Sequence, residues 1–266
     1  MAKKNYRNND SDILKSSEFI VKVTRRIAFG LITILGVAII FLTIWFCSHY
    51  FNGFFNDSEE ACLNWHQLTM TVSYVVLVGN GEFCFEMNNN DCYLALLVYR
   101  YLIPKISYDF AKVIHLTLLC FAFSFSIIGL IQIFRFHQKI GAPDLSTVHS
   151  WLGFLTELLT LLQLLTGQYA FIYPGLTAIN KLFKPFHSYF GIVLFILMIV
   201  TIISGLTMRA DIQFQRNKHN FNRQPYSELP NEAILLNTIG ILIILFAFFV
   251  LFIATNFDFN SKIKRF

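Results

Sequence analysis

Charged side chains are scarce in this chain. They make up 14% of its 266 residues, whereas a soluble domain of this length would carry about 25%. Hydrophobic residues make up 55%, and several apolar runs reach about 20 residues, the length that crosses a hydrocarbon core of ~30 Å. These features exclude a soluble globular protein. Because irregular backbone is not tolerated in lipid, the sequence predicts an all-α, polytopic membrane protein.

Cysteine motifs are also missing. None of the 5 cysteines belongs to a C-x-x-C zinc pattern or a C-x-x-C-H haem attachment site. Cys47 and Cys62 flank one short loop and could form a disulfide bond if that loop is non-cytosolic. Buried free thiols are at least as good an interpretation, so both remain open.

A cleaved leader and a nucleic-acid site find no support either. Residues 1–26 are polar and basic, and no short apolar stretch with a cleavage site precedes the first long apolar run. We therefore expect a cytosolic N-terminal tail followed by an uncleaved first helix. The net charge of +5 comes from basic residues that flank the helices, where membrane orientation explains them, so we expect no nucleic-acid partner.

Six crossings account for the apolar pattern. Five are clear and lie at about Ile27–Cys47, Val113–Phe134, Trp151–Tyr173, Ser188–Leu206 and Ile234–Ala254. The remaining one lies within residues 63–102, where the polar stretch Gly79–Asp91 interrupts the run. A separate helix after that stretch, Cys92–Leu102, would rise only ~16 Å, which is too short to span. One crossing with an excursion is therefore predicted, giving six transmembrane helices with both termini cytosolic.

Four histidines lie at or near the starts of the second to fifth crossings: His66, His115, His149 and His187. Because crossings alternate in direction, His66 and His149 lie near the outer face and the other two near the inner face. A haem iron held between two helices takes one imidazole from each. Any one such histidine is as well explained by an interhelical hydrogen bond, but four at matched depths predict two haem sites stacked across the bilayer. Glu157, an acid within the fourth crossing, has no partner that the sequence identifies.

Seven short motifs carry a resemblance to a known family. They are "NWH" at 64–66, "LALLVYR" at 94–100, "KVIH" at 112–115, "VHSWLG" at 148–153, "LLQLLTG" at 161–167, "KPFHSYFGI" at 184–192 and "LNTIGILI" at 236–243. With these motifs the chain resembles the cytochrome b561 family of transmembrane ascorbate-dependent reductases, from about Asn64 to Asn256. The resemblance implies a six-helix domain over 27–256, a cytosolic tail at 257–266, and a four-helix di-haem core formed by helices two to five.

The resemblance also implies the cofactors and partners. Two non-covalent haem b groups would be ligated by His66 with His149 on the non-cytosolic side and by His115 with His187 on the cytosolic side. The electron donor would be cytosolic ascorbate, and the acceptor would be monodehydroascorbate or a ferric chelate on the opposite side. A homodimer is implied, in an endomembrane (vesicle or lysosome) or the plasma membrane.

Substrate residues follow from the same resemblance. Cytosolic ascorbate would contact Lys112, Arg100 and Lys181; the last stands beside Asn180, where the family usually has an arginine. The outer acceptor would contact His137, Phe134 and Asp144. Asp144 replaces a common asparagine, and its carboxylate would favour a cation over an anionic radical. Trp151 is expected to pack on the outer haem.

The polar insertion at 79–92 departs from the family. His66 and Arg100 are 34 residues apart, and a straight helix of that length would rise ~51 Å against a core of ~30 Å. About fourteen residues are therefore surplus. Either helix two makes an excursion here, or the stretch is a translated intron or a mistaken gene model.

Two other functions remain open at this stage. One is a membrane cytochrome b subunit that passes electrons to or from a partner protein. The other is a haem-free transporter or channel, which would leave the four matched histidines unexplained. Lys112 and His137, at substrate positions of the family, favour the reductase.

Overall fold

The computed structural model describes residues 2–80, 108–172, 177–216 and 225–263, and these are almost entirely helical. The long helices are α1 (Ala2–Tyr50), α2 (Glu59–Met70), α3 (Tyr108–Ile140), α4 (Val148–Ile172), α5 (Thr177–Arg216) and α6 (Asn231–Ile263). A π-helical segment, Thr71–Leu77, continues α2, and a short 3₁₀ turn, Tyr226–Glu228, precedes α6.

Five of these helices are long and apolar enough to cross a membrane, over Gly30–Tyr50, Lys112–Ile140, Val148–Phe171, Leu182–Ile212 and Asn231–Ala254. They coincide with the five clear crossings of the sequence, which confirms an all-α polytopic membrane protein. The second predicted crossing begins as expected and is helical through Asn80. The insertion at 79–92 and Arg100 lie almost wholly outside the described residues.

The helices pack in three pairs: α1 with α6, α2 with α3, and α4 with α5. In α1 the buried residues Ile32, Ile39 and Phe46 recur every seven positions, the spacing that places side chains on one face of a packed helix. They meet the matching stripe of α6, which includes Ile243 and Phe246. Large apolar residues on the opposite faces are exposed, as lipid contact requires.

Two helix ends shape the outer side. Ser58 caps α2, since its Oγ accepts a hydrogen bond from the Ala61 amide at 3.0 Å. Gly141 ends α3 with a φ of +66°, and the next amide, of Ala142, donates to the His137 carbonyl at 3.0 Å. This left-handed cap favours glycine. It reverses the chain so that the connection to α4 returns over the end of α3.

Candidate functional site

The structure brings His66 and His149 together. His66 lies in the second turn of α2 and His149 in the first turn of α4, and their ring centres are 6.3 Å apart at an interplanar angle of 83°. We call them the outer pair, after the predicted topology. Both line one cavity, the outer cavity, whose wall includes Gln67, Tyr74 and Arg209.

Hydrogen bonds fix the orientation of both outer imidazoles. Nδ1 of His66 lies 2.9 Å from the Gly129 carbonyl oxygen, and Nδ1 of His149 lies 3.1 Å from the Thr201 carbonyl oxygen. A carbonyl oxygen only accepts, so Nδ1 donates in each case. Nε2 of each ring is then the nitrogen with a free lone pair, which is the arrangement found behind metal-ligating histidines.

The second pair lies on the other two helices of the four-helix core. His115 of α3 and His187 of α5 have ring centres 6.5 Å apart at 74°. This inner pair lines a smaller cavity, the inner cavity, together with Lys112 and Gln163. Gln163 donates from Nε2 to the His187 carbonyl at 2.8 Å, and the Phe171 ring lies 5.1 Å from the His187 ring. The structure therefore assembles the same two pairs that helix alternation predicted.

Two glycines make room for the histidines of α4 and α5. A Cβ at Gly205 of α5 would lie 2.8 Å from Cε1 of His149, and a Cβ at Gly167 of α4 would lie 2.7 Å from Cε1 of His187. Real Cβ contacts are never so short, so an alanine at either place would displace the ring. Each glycine lies 18 residues after the histidine of its own helix. The two antiparallel helices thus repeat one pattern, with each glycine supporting the other helix's histidine.

The donor set fits a metal held by two imidazoles. A metal–imidazole nitrogen bond is roughly 2 Å and the ring centre lies about 1 Å behind the nitrogen, so two opposed rings would have centres about 6 Å apart. Both pairs match this spacing. Within the described residues no group of three or more His, Cys, Asp or Glu could hold a metal ion. Gln67 supports a bound group in the outer cavity, because its amide nitrogen and oxygen are buried there without a hydrogen-bond partner.

His137 and Asp144 form a dyad at the mouth of the outer cavity. Nδ1 of His137 lies 2.7 Å from Oδ1 of Asp144, and since a carboxylate only accepts, Nε2 of His137 is left with its lone pair. His137 and Phe134 line the outer cavity, as the resemblance implied. Trp151 does not line this cavity and is 63% exposed. Its expected packing on the outer haem stays a prediction.

The inner mouth is described in part. Lys112 lies one turn before His115 on α3 and lines the inner cavity with both inner histidines. Lys181 lies within α5, but its side chain, like Arg100, is outside the described residues. The structure therefore places one of the three predicted donor-side residues.

Comparison with known proteins assigns the chain to a family. The family model described as eukaryotic cytochrome b561 matches residues 65–213, more than half of the chain. The chain belongs to the cytochrome b561 family. Members of this family bind haem, in agreement with the paired histidines.

Three relatives illustrate this membership of the cytochrome b561 family. The lysosomal membrane ascorbate-dependent ferrireductase of Danio rerio is 32% identical over 86% of this chain and 87% of its own length. The plasma membrane ascorbate-dependent reductase of Xenopus laevis is 31% identical over 85% and 72%. The transmembrane ascorbate-dependent reductase of Sus scrofa is 30% identical over 87% and 82%. All three are named as reductases, so the family is one of oxidoreductases.

Polar groups beyond the predicted cytochrome b561 residues also meet near the outer pair. Arg209 is 5% exposed, donates to Oδ1 of Asn64 at 2.7 Å, and holds its guanidinium carbon 4.2 Å above the Phe51 ring. Arg209 lies three residues beyond the predicted fifth crossing, Ser188–Leu206, where a basic residue is explained by membrane orientation. In the structure it falls inside the apolar span Leu182–Ile212.

The loop between α1 and α2 is tied to the end of α3. Asp57 lies 2.7 Å from Lys139 and 3.5 Å from Arg135. The hydrogen bond and positive charge of Lys139 lower the pKa of Asp57 below its ordinary value. Cys47 and Cys62, at the two ends of this loop, are buried free thiols, which decides between the two interpretations left open by the sequence.

Proposed function

We propose that the chain transfers single electrons from cytosolic ascorbate to an acceptor on the opposite side of the membrane. The observation that carries this proposal is the presence of two histidine pairs, one toward each end of the same four helices, with ring centres 6.3 and 6.5 Å apart. Two sites in line across the bilayer suit transmembrane transfer, whereas a single site would suit chemistry on one face.

Two haem b groups would be held by the outer pair and by the inner pair. When bound, they supply one-electron redox chemistry in a region where no protein side chain can. The chain's contribution is to fix the outer imidazoles in the ligating tautomer through backbone carbonyls. Gly167 and Gly205 leave space for one histidine of each pair.

On the donor side, the proposed role of Lys112 is to bind the ascorbate anion. A cation beside the inner cavity attracts the anion and stabilises the negative charge that remains as ascorbate loses an electron and a proton. Arg100 and Lys181 are proposed for the same site from the family pattern. A lysine in place of the usual arginine loses bidentate geometry, so Lys181 would hold its partner less rigidly.

On the acceptor side, the proposed contacts are His137, Phe134 and Asp144. The carboxylate of Asp144 keeps Nε2 of His137 available to bind a metal ion or accept a proton. Its negative charge disfavours an anionic radical. Of the two acceptors considered, monodehydroascorbate and a ferric chelate, the dyad favours the ferric chelate. The Danio rerio relative is likewise named a ferrireductase.

The proposal extends to the setting of the protein. Its relatives are named as lysosomal or plasma membrane proteins, which supports an endomembrane or the plasma membrane as the location. Cytosolic termini, from the charge pattern, and a homodimer, from the family resemblance, are part of the same proposal. The second candidate function is that of a cytochrome b subunit serving a partner protein. Ascorbate would then fail to reduce it.

The test uses purified full-length protein and vesicles. We expect a low-spin b-type spectrum from two haems that ascorbate reduces, and reduction of external ferric chelate by vesicles loaded with ascorbate. His115→Ala should lose the inner haem and slow ascorbate oxidation strongly. Asp144→Asn should lower the ratio of ferric to monodehydroascorbate reduction. Haem that ascorbate cannot reduce supports the second candidate, and two haems retained in His115→Ala refute the ligand assignment.

A further inference from the structure

A buried acid lies in the middle of the core. Glu157 of α4 is 6% exposed. Its Oε2 accepts a hydrogen bond from the Tyr74 hydroxyl at 2.5 Å, and its Oε1 lies 2.7 Å from Oγ of Ser126. Tyr74 and Ser126 belong to the second crossing and to α3, and both are buried. Ionisable residues inside a membrane are costly and are functional by default, yet the haem-ligand and substrate sites leave Glu157 without a role.

Glu157 lies between the two cavities. Along α4 it is roughly 12 Å from His149 and roughly 15 Å from Gly167, the glycine that supports His187. Tyr74, its hydrogen-bond partner, lines the outer cavity. Thr160, one turn further along α4, lines a separate small cavity, whose wall also includes Gln163 and the two inner histidines. The acid therefore has a polar neighbour toward each redox site.

The hydrogen-bond geometry accommodates both charge states of Glu157. Oγ of Ser126 also lies 2.8 Å from the Phe123 carbonyl oxygen. When Glu157 is protonated, it donates to Ser126, Ser126 donates to Phe123, and Tyr74 donates to Glu157. When Glu157 is ionised, the Ser126 hydrogen turns toward the carboxylate, which then accepts from both Ser126 and Tyr74. Only one hydroxyl hydrogen rotates, so the change of charge requires no movement of heavy atoms.

Few other titratable groups face Glu157 in the described part of the chain. The second crossing contributes Tyr74, and α3 contributes the neutral Ser126. On the α5 side, Thr201 bonds to Thr156, the residue before Glu157, at 3.2 Å. The histidine pairs lie one cavity further away on either side. Arg209, a buried cation, lines the outer cavity together with Tyr74.

We propose that Glu157 is a redox-linked proton acceptor, taking up one proton when the core gains one electron and releasing it when the electron leaves. This inference rests on the proposed function, because that function supplies the electron that enters the core. One O–H bond forms at Oε1 of the carboxylate, and the same bond breaks on release. The proton comes from water on the cytosolic side, where the oxidation of ascorbate releases one proton for each electron. Thr160 and Gln163 continue from Glu157 toward that side.

The expected coupling is measurable. We take the electron at roughly 12 Å from the carboxylate, which is the helix rise between Glu157 and His149. At an effective dielectric constant of ~20, it would raise the proton affinity of Glu157 about tenfold. Linkage is reciprocal, so protonation of Glu157 raises the reduction equilibrium constant about tenfold, which is about 59 mV for a one-electron couple. The haem midpoint potential should accordingly fall as pH rises through the range in which Glu157 titrates.

Glu157→Gln tests the proposal, since glutamine keeps the size of the side chain but cannot change charge. In purified full-length protein, the midpoint potential of the wild type should fall with rising pH and that of Glu157→Gln should stay level. The infrared difference spectrum between oxidised and reduced wild-type protein should contain a carboxylic-acid C=O signal that is absent from the variant. Thr156→Val, the matched control, removes a buried hydroxyl beside Glu157 and should leave both readouts unchanged.

A second variant keeps the test decisive if Glu157→Gln does not fold. Tyr74→Phe removes a donor to the carboxylate, which raises its proton affinity and should move the potential's pH range upward. The inference is overturned if Tyr74→Phe leaves the pH range of the potential change where it is in the wild type. It is also overturned if the midpoint potential of Glu157→Gln falls with pH as steeply as that of the wild type. These results differ from failure of the proposed function, which would appear as missing haem or as haem that ascorbate cannot reduce.

Discussion

Gly167 and Gly205 each pack against a histidine ring, and a Cβ atom at either position would clash with that ring. Each glycine lets a neighbouring helix approach closely enough for its histidine to face the opposite member of the pair. The backbone there is ordinary helix, so the reason for glycine is space and not conformational freedom. The geometry of each pair therefore depends on a residue that ligates nothing.

Gly167→Ala should disturb the inner pair alone. The added methyl group would lie 2.7 Å from His187 Cε1, and overpacking of this kind costs about 1–3 kcal/mol. We expect loss or high-spin conversion of one haem, seen in the visible spectrum and in the haem-to-protein ratio. Gly30→Ala is the matched control, since nothing lies within 4 Å of its Cβ position. An unchanged spectrum in Gly167→Ala would contradict the steric role.

The histidine pairs could be predicted from the sequence, whereas the hydrogen bonds of Glu157 and the role of the two glycines could not. To predict which histidines pair, one needs only their positions at the starts of four helices and the alternating direction of those helices. The Tyr74–Glu157 and Ser126–Glu157 contacts join residues 83 and 31 positions apart, and they depend on how three helices are rotated about their own axes. The 18-residue interval from histidine to glycine in α4 and α5 was visible, but its meaning required knowing that these helices pack antiparallel.

The start of α2 is held by one buried amide. Nδ2 of Asn64 donates to the carbonyl oxygens of Phe51 at 2.9 Å and Gly53 at 2.7 Å, and its Oδ1 accepts from Arg209. One side chain thus joins the end of α1, the loop after it, α2 and α5. Since His66 lies two residues further on, this junction sets the height of the outer pair.

Asn64→Leu should destabilise the protein by about 3 kcal/mol, because it leaves buried backbone carbonyls and part of a buried guanidinium without partners. Thermal unfolding in detergent would measure the loss, and the outer haem should dissociate first. The control is Gln138→Leu, at an exposed glutamine on α3, which should change stability by no more than about 0.5 kcal/mol. Equal effects of the two substitutions would show that the junction contributes nothing.

Elements differed in how well the sequence predicted them. The apolar runs placed five crossings to within a few residues, because burial in lipid demands length and low charge. The π-helical segment Thr71–Leu77 carries no such signal, since its side chains suit an ordinary helix equally well. The insertion at 79–92 stays a prediction.

The orientation of the whole molecule can be tested from its connections. Phe55, in the loop between α1 and α2, is fully exposed, and the topology places it opposite the termini. In intact cells or vesicles, an impermeant maleimide should label Phe55→Cys from the non-cytosolic side, while a cysteine added after Phe266 should react only after permeabilisation. The unsubstituted chain is the control, because it measures the labelling of the chain's own five cysteines, of which Cys47 and Cys62 are buried. Labelling of both positions from one side would refute the topology.

The repeated interval in α4 and α5 has a consequence for the polarity of the reaction. A half-turn about an axis in the membrane plane exchanges the two helices, bringing each histidine and glycine onto its counterpart. A scaffold with this near-symmetry has no intrinsic forward or reverse direction. Under the proposed function, the asymmetry lies at the two mouths, with Lys112 on the donor side and the His137–Asp144 dyad on the acceptor side. On that proposal the scaffold would conduct electrons in either direction, and the substrates admitted at each mouth would make the flow one-way.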